Sequence, residues 1–174
     1  MADALPDIIA ERLGVVFCGI NPGMNAAAAG HHFAGRGNRF WRAIHLAGFT
    51  PEEILPENDC TILRYGCGLT AVVDRPTARA DQLSAQEFIT VAVHFEQKIV
   101  RCAPRFVGFL GKAAYSALSG QREIAWGSQP TAFGGAAVWV LPNPSGRNRA
   151  FTLAQLVGAY RQFYLAAALS RLPT

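Results

Sequence analysis

The sequence predicts an α/β fold, a three-layer α/β/α sandwich built on a central, mostly parallel four-stranded sheet. Three observations lead there. Four short apolar runs, at residues 13–20, 68–73, 106–110 and 136–141, alternate with stretches of helical pattern. Each run is almost uninterrupted, which fits strands buried on both faces of a parallel sheet. The chain has 174 residues, of which 51% are hydrophobic and only 16% charged. That length and composition suffice for a core without staples and exclude a disordered chain. Residues 1–174 are read as one domain, with no repeat, linker or low-complexity tract. No apolar run reaches the ~18 residues of a membrane span.

The first strand covers residues 13–20 and runs into the turn residues Asn21-Pro22-Gly23. Residues 25–37 are rich in Ala, Gly and His, lack a period and read as a loop. Asn38 is placed to cap a helix over residues 39–47, whose apolar stripe is Phe40, Trp41 and Ile44; Gly48 stops it. Thr50-Pro51-Glu52-Glu53 has the cap, the first-turn proline and the acids of a helix start. A short helix is expected at 59–64. The second strand at 68–73 leads into a polar loop, 74–82. Ser84 and Glu87 form a capping box before a long helix over 85–102. The third strand, 106–110, is followed by Gly111 and a helix through Leu118. Gly134-Gly135 marks a tight turn before the fourth strand. A loop over 142–150 precedes the terminal helix, 152–170.

The formal charge is +4, carried by 16 Lys+Arg against 12 Asp+Glu. Only Lys98 and Lys112 are lysines, and no acidic residue follows Glu123. Arginine makes planar, bidentate contacts to phosphates and base edges, so the basic last third points to a polyanionic partner. Cys18, Cys60, Cys67 and Cys102 form no C-x-x-C pair, which argues against zinc and iron–sulfur frameworks. Cys18 reads as a buried thiol. His31-His32 has no third ligand at metal spacing, so no metal and no cofactor are expected. Residues 1–12 contain Asp3 and Asp7 and no basic leader pattern, so the expected address is the cytoplasm.

In open sheets of this class, ligands bind beyond the carboxyl ends of the strands. The loops after Ile20, Val73 and Leu141 occupy that position. The first reads Gly19-Ile20-Asn21-Pro22-Gly23. Its glycines and proline force a sharp exit and bring backbone amides toward a ligand. Asn21 is its polar side chain, able to hold a water or bond a base edge. The last reads Leu141-Pro142-Asn143-Pro144-Ser145-Gly146-Arg147-Asn148-Arg149, stiff, polar and exposed.

Together these two loops resemble the signature loops of the mismatch-specific uracil-DNA glycosylases, bacterial relatives of thymine-DNA glycosylase. Asn38-Arg39-Phe40-Trp41 and Asp74-Arg75-Pro76-Thr77 resemble further segments of that family, in the same order and spacing from about residue 13 to 160. Other branches differ by residue. The main uracil-DNA glycosylases carry an aspartate and a histidine where this chain has Asn21 and Asn143. The iron–sulfur branch needs cysteines that are absent here. The single-strand-selective branch has His-Pro-Ser-Pro in the last loop, although Arg147-Asn148 is similar to it.

The resemblance implies a monofunctional glycosylase that flips uracil mispaired with guanine out of double-stranded DNA, acts as a monomer and needs no cofactor. By family position, Asn21 orients the attacking water. A neutral amide is a poor base, so a slow enzyme is expected. Phe33 matches the aromatic that stacks on the base. The Ile20 backbone and the Asn143 side chain match the groups that bond its edge, and Ser145 matches a phosphate contact. Gly146, Arg147, Asn148 and Arg149 match the wedge that fills the vacated stack. Arg147 stands where the bacterial pattern has leucine; it either stacks in the gap or grips a phosphate. Asp74 and Asp81 are candidates to assist the water or the developing sugar charge. No lysine lies in the motif loops, so lyase chemistry is not expected. The alternative is a catalytically weak module that binds damaged bases or single-stranded DNA. A flavodoxin-like nucleotide site is less well supported, since no G-x-x-x-x-G-K loop surrounds Lys112.

Overall fold

Alternate side chains on each strand enter two separate cores, and this decides the layering. Val15 and Phe17 face one way with Leu110 and Leu141, while Cys18, Val107, Phe109, Val138 and Val140 face the other. The structure is a computed structural model that describes residues 4–20, 23–73 and 84–170. Its strands are β1 (Val15–Gly19), β2 (Cys67–Ala71), β3 (Phe106–Leu110), β4 (Gly127–Ser128) and β5 (Ala137–Leu141). They form one sheet in the order β2-β1-β3-β5-β4, and all but β4 pair in parallel. The α/β sandwich expected from the sequence is thus present, with five strands instead of four. β4 was missed because two residues, one of them Gly127 at φ 91°, carry no hydropathy pattern.

One face is covered by α2 (Phe40–Ala47), α5 (Leu153–Leu169) and a 3-10 segment (Pro56–Tyr65). The other is covered by α3 (Ala85–Cys102) and α4 (Lys112–Ser119). Phe17 makes edge contacts with Phe40, Phe49 and Phe163, which tie β1 to both helices of the first layer. Thr152 accepts from the Gln155 backbone and Gln155 returns the bond, a capping box that starts α5. The Ser84–Glu87 box rests on a side chain outside the described residues.

Two expectations fail locally. Residues 25–37 are not all loop, because α1 (Met24–Ala29) occupies their start, with Gly30 closing it in the left-handed region. Its alanines give no hydrophobic period but have the highest helix propensity. Thr50-Pro51-Glu52-Glu53 starts no helix; the chain bends there. The buried Thr50 hydroxyl donates to the Glu52 carbonyl at 2.7 Å instead of accepting a backbone N–H as a cap would. The short helix expected at 59–64 is the 3-10 segment, kinked at Asn58 and extending further at both ends.

Candidate functional site

β1 and β5 both flank β3, and their carboxyl ends open on the same side. The chain leaves β1 toward β2 on one side, whereas β3 lies on the other, so the ends of β1 and β3 mark a switch point where ligands bind in such sheets. Gly111 follows β3 at φ 109° and donates to Leu141 O at 2.7 Å. An added Cβ there would lie 3.7 Å from the Asn143 Cβ, so the last loop folds closely over the end of β3. A cleft of about 790 Å3 opens at this point.

Ile20, Phe33, Asn143, Ser145, Gly146, Arg147 and Asn148 all line this cleft. Arg149 is exposed and does not. Asn21, Asp74 and Asp81 lie outside the described residues.

Phe33 is half-buried, and its ring stacks on the buried Phe40 at 4.0 Å between centroids. Its φ of 56° is unusual for a bulky residue and needs external support. The preceding residue supplies that support. His32 N–H donates to the buried Asp59 carboxylate at 2.9 Å, its carbonyl accepts the Trp41 indole at 3.0 Å, and its Nε2 lies 2.7 Å from Pro6 O. His31 Nδ1 lies 3.5 Å from the same Asp59. The two histidines therefore hold a turn that presents an aromatic face.

Asn143 is exposed, but its carboxamide is not randomly oriented. Its Oδ1 accepts Ser145 N–H at 2.8 Å, and its main-chain carbonyl accepts Asn148 Nδ2 at 2.9 Å. With the oxygen committed, the NH2 is what Asn143 can offer a ligand. The Ser145 hydroxyl accepts Arg147 N–H at 3.2 Å, which leaves its own proton as a donor. The Asn148 carboxamide is used inside the loop, since its Oδ1 also accepts Ala150 N–H at 3.3 Å. It is a brace rather than an open reading head. An added Cβ at Gly146 would meet Gly37 O at 2.8 Å, so the loop can pack against Gly37 only as glycine.

Sequence reasoning missed several residues here. Arg36, Asn38 and Leu5 also line the cleft, and no described lining residue is acidic. Asp74 and Asp81 were not the only acids to weigh. Thr70 lines the cleft and donates to Asp7 Oδ1 at 2.8 Å. Asp7 is paired with Lys98 Nζ at 2.7 Å, so its charge is balanced. A contact across 63 residues leaves no trace in local pattern. Beneath the last loop, the buried Tyr160 hydroxyl donates to Pro142 O at 2.8 Å. Burial pushes its phenol well above the ordinary range, opposed by the nearby Arg39 charge. The Cys18 thiol is likewise pushed up by burial, with Lys98 partly opposing, as befits a core thiol.

The family model of the uracil DNA glycosylase superfamily matches residues 6–167. The chain is also similar to a solution NMR structure from Methanosarcina acetivorans, provisionally assigned as a uracil DNA glycosylase. The TM-score is 0.62 at 19% identity, over 94% of this chain and 98% of that one. At that identity the likeness speaks to the fold.

Proposed function

The chain belongs to the uracil DNA glycosylase superfamily, and from that premise we propose that it is a monofunctional glycosylase releasing uracil mispaired with guanine from duplex DNA. One observation carries this reading: Ile20, Phe33 and Asn143, from three separated stretches of sequence, line a single cleft with no described acidic residue. The flipped base stacks on Phe33, whose other face is backed by Phe40. The Asn143 NH2 and the Ile20 backbone bond its edge, and the amide stabilises charge on the leaving base less well than a cationic donor would. Asn21 positions water below the sugar, without serving as a base. The Ser145 hydroxyl meets a phosphate, and residues 146–149 fill the vacated stack. Guanine mispairs lower the cost of flipping, which favours this substrate. Asp74 or Asp81 assists the water or the sugar; unchanged single-turnover rates in both Asp→Asn variants would count against that part.

The test of specificity is excision from otherwise identical duplexes bearing uracil opposite guanine or adenine, read by alkaline cleavage. Faster cleavage opposite guanine is expected. Equal rates would reject the mismatch reading, and cleavage of neither, with tight binding, would favour a binding module.

A further inference from the structure

The loop after β5 meets the proposed DNA interface, yet its carbonyl groups turn inward to one side chain. Arg39 donates from Nη1 to Phe151 O at 2.7 Å. From Nη2 it donates to Ser145 O and Asn148 O, both at 2.9 Å. Its Nε reaches Pro144 O at 3.4 Å, and its backbone N–H donates to the same carbonyl at 3.0 Å. These partners lie 105 to 112 residues away in sequence. Arg39 is also the N-cap residue of α2 and makes no side-chain cap there. The positive end of a helix dipole disfavours a cation. Charge-assisted bonds to carbonyls outweigh that cost.

Arg39 lies between the two walls of the cleft. On one side Gly37 and Asn38 line it, and Phe40 backs the Phe33 ring. On the other, Ser145 and Asn148 line it while their carbonyls are bound by the guanidinium. We propose that Arg39 is a positioning residue that sets the loop over 144–151 in register with the Phe33 wall before DNA arrives. It touches neither base nor water. It lowers the ordering cost of inserting the loop, because the loop is already in its working shape. A lysine would not serve, since its ammonium lacks the planar fork that reaches several carbonyls in fixed directions. The proposal rests on the glycosylase reading for its consequence, though not for its geometry.

The test uses Arg39→Lys and Arg39→Ala in the full chain. Three readouts are needed: amide hydrogen exchange of residues 144–151 without DNA, affinity for an undamaged duplex, and single-turnover uracil release opposite guanine. Arg39→Lys is expected to melt close to the native temperature and to bind undamaged duplex as before. Its loop should exchange faster, and its excision should fall about 100-fold, as a small displacement of a positioned group does. Added methylguanidinium should restore part of the rate in Arg39→Ala. Unchanged loop exchange in folded Arg39→Lys would overturn the proposal. So would faster exchange with an unchanged excision rate, or loss of fold in both variants, which would assign Arg39 a purely structural task. If the native chain releases no uracil, the glycosylase reading fails, while the loop exchange still decides whether Arg39 is the clamp.

Discussion

Phe33 joins local strain to a candidate task. Its left-handed backbone is held by the bonds of His32 to Asp59, Trp41 and Pro6, and its ring lies on Phe40. Replacing it with alanine should weaken binding of the flipped base by about 1–3 kcal/mol, seen as a higher half-saturating enzyme concentration in single-turnover excision. Tyr160 makes a different prediction. Its phenol stays protonated in the fold because burial raises its pKa. Its contribution is therefore complete below the unfolded phenol value of about 10. It is lost as pH rises above that value, because the unfolded chain then ionises first. Tyr160→Phe should cost about 1–3 kcal/mol at neutral pH by orphaning the Pro142 carbonyl. It should also flatten the alkaline loss of stability in urea titrations. Phe33, Asn143 and Ile20 were legible in the sequence because they sit in motif loops. Arg39 and Asp7 were not, because their meaning lies in partners far along the chain. One signal for Arg39 was available: a cation at a helix start is out of place by the dipole rule.

Strands and long helices could be read because apolar period and strand length reflect burial directly, as in β3 and α3, whose bounds match the expected ones. The failures occur where burial leaves no period. The alanines of α1 form a helix without a stripe, and β4 pairs through two residues. The Thr50 segment had helix-start chemistry, but a buried threonine bonded to Glu52 O ends that option. The loop after β5 is the element on which the site depends most. Gly146→Ala would push a Cβ to 2.8 Å from Gly37 O and separate the two walls. We expect excision to fall by about tenfold or more, with unchanged far-UV circular dichroism. An unchanged rate would show that the contact does not set loop position.

For the whole molecule, the first impression was a modest +4 carried mostly by arginine. The fold gives that charge a location: Arg36 and Arg147 line a cleft without described acidic residues. Duplex affinity should therefore fall with salt, and Arg147→Ala should reduce the log–log slope by about 1 if that side chain grips a phosphate. An unchanged slope would favour stacking in the gap. The central claim is that this cleft receives uracil and that water positioned by Asn21 releases it. The direct measurement is the single-turnover rate of free uracil release from a uracil:guanine duplex, for the native chain and for Asn21→Ala. We expect release by the native chain and near-complete loss in Asn21→Ala, with duplex affinity retained. Tight binding of the mispair by the native chain without release, or full release by Asn21→Ala, would contradict it.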